Sequence, residues 1–296
     1  MVPVRTVDLP YLGIRAGYAL DDTSFDPSKP TCVLLNSMCM TSALFRPQFE
    51  DEKLTKAVNL VAIEPLGHGA TTCASEQFTY WDSARMALLV LDHLKIDKFF
   101  ALGTSQGGWL ATRLALLAPD RIQGLLLLGT SMDSESADSR TKGCWDPVPF
   151  FKPFLQQWTS AAPTPDFRPG QDWLGACTGL GFGSASTAEN TDFWNRTITE
   201  VYKGDEGRRK LRMATICLAE RDGLLLRLDY IRCPVHWLQG TEDAVYSTQI
   251  ATEQVALFTS SSDAKVDFVQ GGAHYLSASN PVEVNQALMT LVQNSS

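Results

Sequence analysis

The sequence predicts an α/β protein whose mostly parallel sheet is doubly wound and whose chain carries a helical insertion. Three observations lead there. Short, fully apolar runs at residues 31–37 (TCVLLNS), 58–64 (VNLVAIE), 98–103 (KFFALG) and 124–129 (GLLLLG) suit strands covered on both faces. Helical patterns fall between them: Ala84, Ala87, Leu88, Leu91 and Leu94 recur at helical spacing within residues 82–96, and residues 106–118 read as a helix stopped before Pro119. The strand and helix rhythm then halts after Ser131 and resumes near Cys233, which marks the insertion.

Ahead of the first buried run, residues 4–20 alternate in a way that suits a strand pair, and the turn-rich DDTSFDPSKP follows. The expected organisation is a core of residues 1–132 and 228–296 with a mainly helical cap over 133–227. That cap carries four of the seven tryptophans, Trp145, Trp158, Trp173 and Trp194. Its GLGFG run at residues 179–183 lacks the strand and helix context of a nucleotide loop and reads as a flexible segment. Beyond the cap come a strand at residues 235–240 (VHWLQG), a helix at 247–258, a strand at 266–270 and a last helix. Asn280, Pro281 and Glu283 give that helix the pattern of a capping box with proline at its first position.

Length and composition bound the function. With 296 residues, 44% hydrophobic and 20% charged, the chain suits one large globular core bearing an insertion. A formal charge of −8 with dispersed basic residues disfavours nucleic acid. No apolar run reaches the 18 or so residues of a membrane span, and the amino terminus lacks the apolar segment of a secretory signal. Seven cysteines, Cys32, Cys39, Cys73, Cys144, Cys177, Cys217 and Cys233, are odd in number and lack CxxC spacing. The expectation is a cytoplasmic protein acting on a small molecule, without nucleic acid or membrane partner; a homodimer is compatible with the sequence. The sequons at Asn195 and Asn294 then read as chance matches.

In an open parallel sheet the carboxyl ends of the strands form the rim where ligands bind. Gly103-Thr-Ser105-Gln-Gly107 ends one such strand and opens a helix, the context in which G-x-S-x-G describes a sharp turn carrying an exposed serine. The N–H of Gln106, at the helix start, points to the same place. A serine needs a base to become a nucleophile. Of four histidines, His93 lies within a helix, His236 within an apolar strand and His68 in a GHG loop. His274 follows the last strand in the loop QGGAHYLSASNP and is the choice for general base. Asp243, in GTEDAVYS after the preceding strand, is the choice to orient it; Glu242 and Asp133 are the rivals.

GTSQGG, GTEDAV and GGAHYLSASNP, in the order serine, aspartate, histidine, resemble the α/β-hydrolase superfamily, in particular its capped members with a serine nucleophile, uncharacterised fungal-type hydrolases among them. The resemblance implies the α/β-hydrolase fold, catalysis by Ser105, Asp243 and His274, and an oxyanion hole made by the N–H groups of Met38 and Gln106. Leu35-Asn-Ser-Met38 stands where the family often has His-Gly, and Glu64-Pro-Leu-Gly-His-Gly69 is similar to the family's Asp-x-Arg-Gly-His-Gly stretch, read here as structural. Cys39 and the four cap tryptophans are candidate pocket residues, implying a small apolar or aromatic substrate. The expected activity is hydrolysis of a carboxylic ester or lactone through an acyl-enzyme, without metal or organic cofactor. The alternatives are carbon–carbon bond hydrolysis or acyl transfer by the same triad, or a receptor-like binding module with a slow triad.

Overall fold

The apolar runs form strands, and their order in the sheet determines where chemistry can sit. In the computed structural model, which describes residues 2–295, eight strands share one sheet. They are β1 (Val4–Leu9), β2 (Ile14–Leu20), β3 (Thr31–Leu35), β4 (Asn59–Ile63), β5 (Phe99–Thr104), β6 (Ile122–Leu128), β7 (Val235–Gly240) and β8 (Ala264–Val269). The spatial order is β1-β2-β4-β3-β5-β6-β7-β8. The β1 to β2 and β2 to β4 pairings are antiparallel, and every pairing from β4 to β8 is parallel.

Alternation along the central strands makes two cores. Val33, Leu35, Ala101, Leu125 and Leu127 face one side, whereas Leu34, Phe100, Leu102, Leu126 and Leu128 face the other. The helices before the insertion are α1 (Arg46–Glu50), α2 (Glu52–Ala57), α3 (Tyr80–His93) and α4 (Gln106–Leu117). The insertion between β6 and β7 contributes α5 (Ala137–Thr141), α6 (Pro147–Gln157), α7 (Gln171–Phe182), α8 (Ala188–Val201) and α9 (Gly204–Ala219). Last come α10 (Thr248–Val255), α11 (Leu276–Ser279) and α12 (Pro281–Asn294). α3 and α4 cover the first face, and α12 covers the second with Val284, Leu288 and Leu291.

Two local expectations are corrected. Pro281 does open α12, but Asn280 makes no side-chain cap; its Oδ1 accepts from Ser279 Oγ at 2.9 Å. The reason is that α11 ends at Ser279, so Asn280 is a joint between two helices rather than a free cap. The GLGFG run is not a loose segment either: its first four residues are the last turn of α7. Gly181 is required there, since a Cβ would lie 1.9 Å from the Tyr275 ring.

The insertion is held by aromatic packing and by a few backbone ties. Trp158 and Trp173 rings meet edge to face at 4.8 Å, with Phe154 against both. Trp145 N–H donates to Val245 O at 2.9 Å, Tyr275 N–H to Gly181 O at 2.8 Å and Tyr202 O–H to Gly67 O at 2.9 Å. These ties join the insertion to the loops after β4, β7 and β8.

Candidate active site

Ser105 occupies the single position between β5 and α4, with φ 54° and ψ −119°. Only a tightly determined turn holds a residue with a Cβ in that region. Both glycines of the motif are needed for steric reasons: a Cβ on Gly103 would lie 2.1 Å from Gly107 O, and one on Gly107 would lie 1.9 Å from Leu35 O. The serine backbone is tied on both sides, its N–H donating to Leu128 O at 2.9 Å and its carbonyl accepting from Thr130 Oγ1 at 2.7 Å. The hydroxyl is thereby presented at the carboxyl rim of the sheet.

His274 and Asp243 come to the same rim from the loops after β8 and β7. His274 Nδ1 lies 3.0 Å from each carboxylate oxygen of Asp243, whose side chain is fully buried. Asp243 also accepts from the N–H groups of Val245 at 2.8 Å and Tyr246 at 3.0 Å, and from Gln239 Nε2 at 2.8 Å. With only acceptors opposite Nδ1, the network assigns the proton to Nδ1 and leaves Nε2 as a proton acceptor. Ser105 and His274 line one cavity, without a hydrogen bond between hydroxyl and imidazole; such contacts commonly tighten only with substrate bound.

The rivals lie elsewhere. Glu242 is exposed and accepts from Ser184 of the insertion at 3.0 Å. Asp133 is engaged locally by Ser136 and Ser134. His93 ends α3 at the surface, and His236 pairs with Asp267 at 2.7 Å. Burial lowers the His236 pKa, partly offset by that contact.

Among the described residues, neither the Met38 nor the Gln106 amide has a hydrogen-bond acceptor, and Met38 lines the cavity with Ser105. One buried network positions both. Gln106 Oε1 accepts from Tyr80 O–H at 3.0 Å, while its Nε2 contacts His68 Nε2 at 2.9 Å and Asn36 O at 3.3 Å. Asn36 Nδ2 in turn donates to Ser37 O at 3.0 Å and Met40 O at 2.8 Å, closing the loop that contains Met38. His68 Nδ1 meets Leu66 O at 3.0 Å, so the ring carries its proton there and accepts from Gln106. Burial depresses its pKa to about 4. The structural reading of residues 64–69 thus gains a specific content: this segment braces the residue after the serine. Glu64 ties it further, accepting from Ser42 N–H and O–H at 2.9 Å each and from Ala70 N–H at 2.6 Å.

The cavity over the serine has a volume of about 70 Å³ and mixes residues of sheet loops and insertion. Trp145 and Trp173 line it together with Phe150 and Phe151. Cys39, Trp158 and Trp194 do not line it. Trp158 backs Trp173, Trp194 packs on Phe182 and Phe193, and Cys39 is sealed beneath the surface while Cys177 reaches the cavity instead. Glu135 and Tyr246 also line it and were not singled out in the sequence. A wider concavity of about 820 Å³ opens between the β1–β2 hairpin and α8, but it holds none of Ser105, Asp243 or His274, so the chemistry rather than the volume locates the site. Among the described residues no group of three or more His, Cys, Asp or Glu is placed to hold a metal ion. No helix among them is long and apolar enough to cross a membrane.

Comparison with known proteins agrees with this architecture. Residues 30–146 match the family model for the α/β-hydrolase fold. An NDRG-like protein of Dictyostelium discoideum is 28% identical over 117 residues, 37% of this chain and 36% of its own length. The chain spans about a third of the length of the curated relatives it matches, between 31% and 36%. Among solved structures, a thermophilic esterase from Thermogutta terrifontis aligns over 99% of both chains with a TM-score of 0.77 at 16% identity. Est816, described as an N-acyl homoserine lactone degrading enzyme, aligns over 97% of this chain and 99% of its own, with a TM-score of 0.71 at 18% identity. By sheet order, matched segment and full-length structural likeness, the chain has the α/β-hydrolase fold.

Proposed function

We propose that the protein is a serine hydrolase that cleaves a small carboxylic ester or lactone through an acyl-enzyme. The observation that carries this reading is the chain of contacts at the rim: a strained serine, an imidazole in the same cavity with its Nε2 available, and a buried aspartate on its Nδ1. Ser105 Oγ attacks the carbonyl carbon as its proton passes to His274 Nε2, and the Met38 and Gln106 amides receive the developing oxyanion. The carbon–oxygen bond breaks as His274 returns that proton to the leaving alcohol. Water, deprotonated by His274, then attacks the acyl carbon and releases the serine.

The esterase and lactone-degrading neighbours support hydrolysis over other chemistries of the fold. In this reading the helices over 133–227 act as a cap whose aromatic residues select the acyl or alcohol group. The seven cysteines are all unpaired, which supports a reducing, cytoplasmic setting. Steady-state hydrolysis of 4-nitrophenyl acetate tests the reading: Ser105→Ala and His274→Ala should each lower kcat by about 10⁴-fold or more. Activity in either variant within tenfold of the parent protein would reject it.

A further inference from the structure

One carboxylate in the cavity has no part in the triad. Glu135 lies in the segment after β6, is 7% exposed, and lines the space that Ser105 and His274 line. Its backbone has φ 49°, an unfavourable conformation for a residue with a side chain. Arg140 Nη1 donates to its carbonyl at 2.6 Å and helps hold it there.

The side chain is anchored through one oxygen only. Oε1 accepts from Tyr246 O–H at 2.9 Å and pairs with Arg221 Nη2, while Oε2 accepts nothing among the described residues and keeps some accessible surface on a residue that lines the cavity. Arg221 is itself buried, stacked 4.2 Å over the Trp109 ring and bonded to Leu218 O. Burial and the adjacent carboxylate push the Tyr246 phenol well above its usual range, so it stays a donor.

The Tyr246 ring also lies 5.7 Å from the His274 ring, centroid to centroid. A single tyrosine therefore bridges from the general base to Glu135. The remaining wall is largely Trp145, Phe150, Phe151 and Trp173. In such a wall a buried ion pair costs desolvation energy that can exceed its mutual attraction, so stability alone is a weak reason for its presence. What it offers is an oriented acceptor.

We propose that Glu135 Oε2 is a specificity determinant that accepts a hydrogen bond from a hydroxyl group on the substrate, a few bonds from the scissile carbonyl. The donor is neutral because Arg221 already balances the carboxylate, and a hydroxyl suits a space of about 70 Å³ better than an amide. The substrates are therefore small hydroxylated esters or lactones. This rests on the serine-hydrolase reading.

The test compares isosteric pairs differing by hydroxyl for methyl: the two enantiomers of 4-nitrophenyl 3-hydroxybutyrate against the 3-methylbutyrate, and 2-hydroxyethyl acetate against propyl acetate. In at least one pair kcat/KM should favour the hydroxyl member by about tenfold or more, the effect of a hydrogen bond to a charged group. Glu135→Gln, which turns an N–H toward the cavity, should cut that preference at least threefold. The double variant Glu135→Leu/Arg221→Met, which removes both charges together, should abolish it while the methyl members are still hydrolysed. A preference below twofold in every pair, or one that survives both variants, overturns the proposal while hydrolysis of the methyl members leaves the serine reading intact. Failure of the parent protein to hydrolyse any member overturns both.

Discussion

His68 lies between the Leu66 carbonyl and the Gln106 amide, and both contacts suit a neutral ring. Its folded pKa is about 4 against about 6.5 in an unfolded chain. Between those values the unfolded state binds more protons, so the stability this residue contributes is complete above pH 6.5 and is lost as pH falls toward 4. By pH 5 the loss amounts to about 2 kcal/mol. Urea titrations at pH 7 and pH 5 should show the parent protein losing about that much more stability than His68→Asn; equal losses would contradict it. At this scale the serine, aspartate and histidine were legible because strand ends and glycines mark them. Glu135 was not, since its partners Arg221 and Tyr246 are remote in sequence. The role of His68 was equally hidden, because its Gln106 contact exists only once β4 and β5 are neighbours of β3.

The central strands were legible as elements because burial on both faces leaves apolar runs, and β7 falls at residues 235–240 as expected. Helix termini were less so. α3 begins at Tyr80 rather than Asp82, because Thr79 caps it and Asp82 is the third helical residue, bonded back to the Thr79 N–H at 2.7 Å. The insertion was legible only as a break in rhythm, since its helices are positioned by aromatic contacts that leave no periodic trace. α7 offers the sharpest test at this scale. Gly181→Ala would drive a methyl into the Tyr275 ring, next to His274. Thermal unfolding should show a destabilisation of about 1–3 kcal/mol, and kcat should fall with it. An unchanged melting temperature would show that α7 does not pack on Tyr275 this closely.

For the molecule as a whole, the sheet presents one rim, and the insertion is tied to the loops beside it by the Trp145, Gly181 and Tyr202 backbone and side-chain contacts. The space left is about 70 Å³, well below the roughly 300 Å³ at which ordinary ligand pockets begin. On the proposed reading, longer acyl groups meet the aromatic side chains of the insertion. Across 4-nitrophenyl esters, kcat/KM should peak between acetate and butyrate and fall at least tenfold by octanoate; a rise toward octanoate would mean that these side chains give way at little cost.

The central claim, that one serine on a strained turn is made nucleophilic by this histidine, is tested most directly by locating a covalent adduct. After treatment with diethyl 4-nitrophenyl phosphate, peptide mass spectrometry should find a single diethylphosphoryl group on Ser105, at one per chain. The adduct should be absent in Ser105→Ala and form far more slowly in His274→Ala. A stoichiometric adduct on another residue, or equal labelling of Ser105→Ala, would contradict the account.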